Sequence, residues 1–105
     1  MKTTHIANVE EYQKAIQEKS CIIFSTTWCP DCFYLKTFID DVIDEHQEFT
    51  FYDIDRDELL DLCMQLEILG IPSLITYENG KETGRFVSKE RKTKEEVKDF
   101  LNGIQ

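Results

Sequence analysis

The chain has 105 residues, 41% of them hydrophobic, and its twelve basic and twenty-one acidic residues give a net charge of −9. This length and composition predict one domain over residues 1–105, with a core that needs no disulfide bonds, and the acidic surface argues against nucleic acids and anionic membranes as partners. No segment resembles a signal peptide or reaches membrane-spanning length, so we expect a cytoplasmic, reducing location in which four cysteines do not indicate a disulfide framework.

The first half of the chain predicts alternating strands and helices. An apolar run at 21–25 indicates a buried strand, and apolar residues at helical spacing follow it. Asn8 with Glu11 has the spacing of a capping box, in which two side chains bind free amides at a helix start. The predicted elements are a short edge strand over 3–7, helices over 9–19 and 30–45, and strands over 21–25 and 48–54.

The second half predicts a helix, a hairpin and a terminal helix. Asp55 with Glu58, and Thr93 with Glu96, again have capping-box spacing. Asn79-Gly80 is a strong hairpin signal between strands predicted over 71–77 and 82–87. The helix after Asp55 is predicted to have an apolar face made of Leu59, Leu60, Cys63 and Leu66. The order of these elements indicates an α/β domain, with helices on both faces of a sheet of mixed direction.

Two cysteines, Cys29 and Cys32, lie where the central strand ends and the long helix begins. The first amides of a helix lack partners within it and carry partial positive charge, which stabilises a thiolate at Cys29. The Cys32 amide is placed to donate to the Cys29 sulfur as it would to a capping oxygen, and its own thiol is in reach for a disulfide. Pro30 suits the first helical position because its ring presets the helical φ. The pair is therefore predicted to be redox-active as a unit.

Four motifs together resemble the thioredoxin family and cover nearly the whole chain. They are Trp28-Cys29-Pro30-Asp31-Cys32, Asp53-Ile54-Asp55, Gly70-Ile71-Pro72-Ser73 and Tyr77-Glu78-Asn79-Gly80-Lys81. A Cys-x-x-Cys spacing alone is a weak signal, whereas the preceding tryptophan and the later Ile-Pro make the combination specific. The resemblance implies a thioredoxin fold, with a central mixed sheet of five strands, or four if the N-terminal strand is absent, flanked by four helices.

The resemblance also implies a thiol-disulfide oxidoreductase, a disulfide reductase without a cofactor or metal of its own. Cys29 corresponds to the family's nucleophile, which attacks a substrate disulfide, and Cys32 to the resolving thiol, which releases the reduced product. The implied substrates are protein or small-molecule disulfides, and the implied electron donor is a flavoprotein thioredoxin reductase. We accordingly expect the protein to be a monomer that takes part in electron transport and cell redox homeostasis.

The substrate-binding residues implied by the resemblance surround the cysteine pair. Pro72 matches the family's cis-proline, and with Ile71 it would leave main-chain groups free to pair with an extended substrate. Trp28 would form one wall of this surface. Pro30 and Asp31, between the two cysteines, complete the predicted set.

Three departures from the family pattern leave the substrate range open. Thioredoxins usually have Gly-Pro between the cysteines, whereas this chain has Pro30-Asp31. Asp31 suits the helix dipole but its charge opposes a nearby thiolate, and the balance of the two effects is open. The family's buried acid, which helps to move the proton of the second cysteine, falls at Ile23, so Asp31 or a water would have to replace it. The glycine after the last strand is also absent, with Val87 and Ser88 near its place.

Alternative interpretations remain open for several residues. Cys21 and Cys63 are predicted to be small core residues, although with the active-site pair they would make four ligands for zinc. Two further alternatives are open: Trp28 is an ordinary packing residue, and Pro72 simply begins a strand after a trans peptide bond. The alternative functional class is a thioredoxin-fold interaction module with idle or structural cysteines.

The remaining titratable residues are predicted to lie at the surface. His5 and His46 have no partners at the spacing of metal ligands or of a general base. The charged runs at 89–92 and 94–96 are predicted to be a solvated loop and the solvated face of the last helix.

Overall fold

Five strands form one sheet in the computed structural model, which describes residues 1–104: β1 Thr4–His5, β2 Ser20–Ser25, β3 Thr50–Asp55, β4 Ser73–Glu78 and β5 Lys81–Phe86. Their order across the sheet is β1-β3-β2-β4-β5. The central strand β2 runs parallel to β3 and antiparallel to β4, and β1 pairs with β3 at the edge. The prediction of a mixed five-stranded sheet is confirmed, with an N-terminal strand of only two residues.

Within these residues five helices cover the sheet: α1 Val9–Ala15, α2 Pro30–Lys36, α3 Ile39–Asp44, α4 Leu60–Gln65 and α5 Lys94–Asn102. Two of the predicted caps form. The Asn8 side chain accepts from the Glu11 amide at 2.9 Å, although the Glu11 carboxylate binds the amide of Ala7 and not that of Asn8. Thr93 and Glu96 make the complete reciprocal box at the start of α5. All four predicted helices are present, the second of them in two pieces.

The break between α2 and α3 corrects the prediction of one helix over 30–45. The Thr37 hydroxyl donates to the Tyr34 carbonyl at 2.7 Å, and the Thr37 amide binds the same carbonyl, three residues back. The Phe38 amide likewise binds the carbonyl of Leu35. This tighter turn interrupts the α-helical ladder, as threonine side chains that bind back to the main chain often do. It also brings Phe38, 8% exposed, into the core.

Helix α4 begins later than its predicted capping box. The Asp55 side chain accepts from the amide of Asp57 at 2.9 Å, and residues 56–59 form turns. Leu60, assigned to the apolar face, is 48% exposed, whereas the neighbouring Leu62 is buried. The predicted face is therefore wrong at Leu60: the stripe that packs into the core is Leu59, Leu62, Cys63 and Leu66, at helical spacing, and Leu60 lies beside it.

Two hydrophobic cores lie on opposite faces of the sheet. Side chains alternate along β2, so that Cys21 and Ile23 pack with α2, α3 and α5 while Ile22 and Phe24 pack with α1 and α4. All four residues are fully buried, which explains the continuous apolar run in the sequence. The predicted core positions of Cys21 and Cys63 are confirmed, on opposite faces of the sheet, and burial raises the pKa of the Cys63 thiol to about 11. Every helix among residues 1–104 is too short or too polar to cross a bilayer.

The two histidines differ from the prediction in different ways. His46 is buried, with Nδ1 2.7 Å from the Val42 carbonyl and Nε2 2.8 Å from the Asn102 side chain, so its predicted surface position is wrong. His5 is exposed as predicted, but both ring nitrogens have acidic partners. Nδ1 lies 2.7 Å from Asp53 and Nε2 lies 3.0 Å from Glu58. The contact with Asp53 is the main cause that raises the pKa of His5.

We predict that His5 makes stability depend on pH. Because its folded pKa lies above its ordinary value, its contribution is fully present below about pH 6 and is lost as the pH rises through the folded pKa. His5→Gln should remove this contribution, which is about a few tenths of a kcal/mol at such an exposed site. Urea unfolding of both proteins at pH 6 and pH 8 would measure it. A difference in stability that stays constant between the two pH values would contradict the prediction.

The hairpin turn provides a second prediction. Asn79 and Gly80 have φ values of 55° and 81°, as a type I′ turn requires. Gly80→Ala should therefore destabilise the protein by about 1 kcal/mol, because a Cβ is unfavourable in the left-handed region. Gly103→Ala is the control, since Gly103 has φ −82° and its substitution should be neutral or stabilising by up to about 1 kcal/mol. Equal effects of both changes in thermal unfolding would contradict this assignment.

Candidate active site

The two cysteines occupy the positions predicted from the sequence, at the junction of β2 and α2. Cys29 is the N-cap of α2, with extended backbone, and its Sγ accepts a hydrogen bond from the Cys32 amide at 3.2 Å. Pro30 is the first helical residue and is exposed. Both cysteines are free thiols in this structure. A sulfur atom thus takes the place of the side-chain oxygen that usually caps a helix.

The two thiols differ in their surroundings. Cys32 is 1% exposed and Cys29 is 6% exposed. Burial, followed by the hydrogen bond to Cys29, raises the pKa of the Cys32 thiol to about 12. Cys32 therefore keeps its proton in the dithiol state. The small exposed fraction of Cys29 is the part of this pair that most nearly reaches the surface.

The Ile71-Pro72 segment lies beside Cys29 and contains a cis peptide bond. The Ile71 carbonyl oxygen is 3.9 Å from the Cys29 sulfur. Ile71 is half-buried and Pro72 is buried. The structure thus brings this segment, predicted only through the family resemblance, to the cysteine pair, and it does not contain the trans form of the Ile71-Pro72 bond.

Trp28 forms an exposed aromatic surface next to Cys29. Its side chain is not packed into the core, since the residue is 58% exposed. The indole Nε1 donates to Asp57 at 2.8 Å, and the Arg56 guanidinium lies 5.6 Å from the ring centroid. The bond to Trp28 is the main cause that lowers the pKa of Asp57. Sequence reasoning did not identify Arg56 or Asp57 as neighbours of the site, because the turn that carries them was assigned to a helix.

Asp31 is paired with a residue far away in the sequence. Its Oδ1 accepts from Arg91 Nε at 2.9 Å, and the Arg91 guanidinium also lies 4.5 Å from the centroid of the Tyr34 ring. Arg91 is exposed, as predicted for the charged run that contains it. The negative charge between the cysteines is thus partly offset by this cation, a contact sixty residues apart that the sequence pattern does not reveal.

Lys92 is buried, which corrects the prediction that the whole run 89–92 is solvated. It is 1% exposed, and its ammonium donates to main-chain and hydroxyl oxygens of Ser88 and to the Glu90 carbonyl. Its Nζ also lies 5.2 Å from the centroid of the Phe86 ring. Burial lowers the pKa of Lys92. The segment 87–93, which we call the β5–α5 loop, therefore turns one of its charges inward.

A four-cysteine zinc site is not compatible with this arrangement. Cys21 and Cys63 lie in separate cores on opposite faces of the sheet, so they cannot join the pair at α2 around one metal ion. Within residues 1–104 no group of three or more His, Cys, Asp or Glu side chains is placed to hold a metal.

Comparison with known proteins identifies the family. The family model described as Thioredoxin matches residues 3–103. Thioredoxin-2 of Saccharomyces cerevisiae is 30% identical over 87 residues, which cover 80% of this chain and 84% of that protein. Such relatives support a thiol-disulfide oxidoreductase function in general terms.

Solved structures show the same fold. Mitochondrial thioredoxin 3 from Saccharomyces cerevisiae, in its oxidised form, aligns with a TM-score of 0.81 at 20% identity, covering 95% of this chain and 94% of that one. A second neighbour comes from work on thiol resolution in yeast mitochondrial 1-Cys peroxiredoxin via glutathione/thioredoxin systems. It aligns at TM-score 0.80 and 20% identity, over 95% of this chain and 94% of its own. Since some of these proteins are mitochondrial, the similarity does not establish the compartment. The chain belongs to the thioredoxin family.

Proposed function

We propose that the protein is a disulfide reductase in which Cys29 attacks and Cys32 resolves. The observation that carries the proposal is the unequal pair itself. The Cys29 sulfur accepts the Cys32 amide at 3.2 Å beside the surface, whereas the Cys32 thiol is buried and retains its proton. Pairs of this kind on a thioredoxin scaffold perform thiol-disulfide exchange.

The reaction has two exchange steps. The Cys29 thiolate attacks one sulfur of the substrate disulfide, forming a mixed disulfide and releasing the other substrate sulfur as a thiolate. Cys32 then loses its proton and attacks the Cys29 sulfur, which forms the Cys29-Cys32 disulfide and releases the second substrate thiolate. The released thiolates take up the protons that the two cysteines lose. Two electrons pass from the dithiol to the substrate, and a flavoprotein reductase would return them.

In this scheme the overall reaction is fast mainly because the two sulfurs are held close together. Because Cys32 is held one helical turn from Cys29, the second step is intramolecular and needs no further encounter. A mixed disulfide with the substrate is therefore short-lived, and the product leaves without an external thiol.

The substrate surface is formed by the residues around Cys29. Trp28 offers an exposed aromatic face, and the Ile71 main chain lies close enough to the Cys29 sulfur to bind an extended segment that carries a disulfide. Pro30 and Asp31 border the same opening. The proposed partners are disulfide-containing proteins, a class that includes peroxiredoxins, together with small disulfides. We also propose that the protein is a monomer and is located in the cytoplasm.

Insulin reduction by dithiothreitol tests the role of Cys29. Cys29→Ser should lower the rate to that of dithiothreitol alone, because no mixed disulfide can form. Cys63→Ser is the matched control, since it makes the same atomic change at a buried thiol away from the site, and it should keep near wild-type activity. Equal rates for wild type and Cys29→Ser, both at the level of dithiothreitol alone, would leave the interaction module with idle cysteines as the function.

Trp28→Ala tests the proposed substrate surface. Loss of an aromatic contact of about 1.4 kcal/mol should lower kcat/KM for insulin about tenfold. The rate with a small neutral disulfide should change little, because that substrate needs no extended contact. Phe33→Ala is the control, since Phe33 is a similarly exposed aromatic residue in α2, at 52%. Equal losses with both substrates would show that Trp28 acts on the thiols and not on recognition.

A further inference from the structure

Asp31 and Arg91 form an ion pair at the start of α2. Asp31 Oδ1 accepts from Arg91 Nε at 2.9 Å, and the two side chains are 34% and 54% exposed, respectively. The guanidinium also lies over the Tyr34 ring, 4.5 Å from its centroid. Among residues 1–104 neither charge has a second ion-pair partner. The charge of Asp31 is therefore balanced by Arg91 alone.

This carboxylate belongs to the part of the molecule that a substrate must approach. Asp31 lies in the first turn of α2, two residues after Cys29 and immediately before Cys32. Because a helix with its side chains is only about 10 Å wide, a disulfide that reaches the Cys29 sulfur comes within about that distance of Asp31. The Debye length in about 0.1 M salt is also about 10 Å, so the charge still acts on the incoming molecule.

The β5–α5 loop holds Arg91 in this position. Lys92, the next residue, is buried and donates to the Ser88 and Glu90 carbonyl oxygens at 3.1 and 2.9 Å. The Ser88 main chain packs so closely on Gly70 that a Cβ has no room there. Exposed ion pairs usually contribute little, because ordering two long side chains costs entropy. A fixed loop and an aromatic ring beneath the guanidinium reduce that cost here.

A second carboxylate of the site is paired in the same way. Asp57, which binds the Trp28 indole, accepts from Arg56 at 3.3 Å, and the Arg56 guanidinium lies 5.6 Å from the Trp28 ring centroid. The chain has only three arginines, so two of them pair with carboxylates of the active site and lie over aromatic rings. In a protein with a net charge of −9, this placement reduces the negative charge where a substrate arrives.

Given the disulfide-reductase function proposed above, we propose that Arg91 is a specificity-determining residue, which cancels the charge of Asp31 and so lets disulfides flanked by carboxylates reach Cys29. Without this cation, acidic segments are repelled by the negative protein and again by the carboxylate between the cysteines. The substrate class that the pair admits is a disulfide within an acidic peptide or an acidic protein surface. Arg91 transfers neither a proton nor an electron in the exchange.

The test compares an anionic disulfide with a neutral one of the same shape. 5,5′-Dithiobis(2-nitrobenzoate) carries two carboxylates, and its bis(carboxamide) carries none. Each is mixed rapidly with reduced protein at neutral pH in about 0.1 M salt, and the first release of aromatic thiolate is followed by absorbance. The readout is the anionic rate constant divided by the neutral one. An effect of Asp31 on the reactivity of Cys29 itself cancels in this ratio.

Arg91→Met should lower the ratio about threefold, since an uncompensated carboxylate then repels a doubly charged substrate. Asp31→Asn should raise it by a similar factor, because Arg91 is then unopposed. The double variant should return close to the wild-type ratio, as neither charge remains. Lys89→Met is the control, because it removes an exposed cation from the same loop and leaves the ion pair intact. Its ratio should stay near that of wild type.

Salt provides a readout that a purely structural role would not move. The differences among the variants should shrink in about 1 M salt, where the Debye length is about 3 Å. A change in the shape of the loop would persist at both salt concentrations. Differences that are independent of salt would therefore overturn the proposal.

Three further outcomes would also overturn it. They are an unchanged ratio in Arg91→Met, a double variant as low as Arg91→Met, and an equal fall in Lys89→Met, which would show a general effect of surface charge. If Arg91→Met does not fold, Asp31→Asn decides, because an unchanged ratio there contradicts the proposal equally. None of these results touches the proposed reductase function. That function fails instead if wild type and Cys29→Ser release the first thiolate at equal rates.

Discussion

The hydrogen bond from the Cys32 amide to the Cys29 sulfur sets the geometry on which the site depends. It makes one sulfur the cap of α2 and places the other one turn along, on the buried side of the same helix. The two cysteines therefore have different surroundings although they belong to one short motif: Cys29 caps the helix, and burial raises the pKa of the Cys32 thiol.

The sheet provides the rigid support for that bond. Strand β2 lies in the middle of the sheet, between β3 and β4, and its residues up to Phe24 are fully buried. Cores on both faces fix the strand, so the chain leaves it at a defined point and direction before Cys29. The short α2, ended at Thr37 by its hydroxyl bond, places only its first turn at the site and lets α3 follow a separate line against the core.

Local chemistry predicted much of this structure from the sequence. The Thr93 cap, the Asn79-Gly80 turn and the cysteine spacing each depend on residues a few positions apart and appear as predicted, and the Asn8 side chain caps its helix although the reciprocal bond from Glu11 is absent. The position of Ile71-Pro72 beside the cysteines came from family resemblance, because spacing alone does not bring distant segments together.

The incorrect predictions mostly concern side chains whose burial or partners the local sequence pattern does not show. His46 is buried with Asn102, and Arg91 pairs with Asp31, through contacts between residues more than fifty positions apart that the sequence pattern does not reveal. Lys92 is held by Ser88 and Glu90 of its own loop, but its place in a charged run made it look solvated in the sequence. The break at Thr37 is local, but threonine is common within helices and gives no clear stop signal.

The contact between Gly70 and Ser88 joins the segment before the cis-proline to the β5–α5 loop. Gly70 leaves no space for a side chain, so the backbone of the β5–α5 loop packs directly against the residue that precedes the cis-proline segment. Insertions or deletions in that loop would then displace the Ile71 carbonyl from its position 3.9 Å from the Cys29 sulfur, while every residue of the Cys-Pro-Asp-Cys motif stays the same.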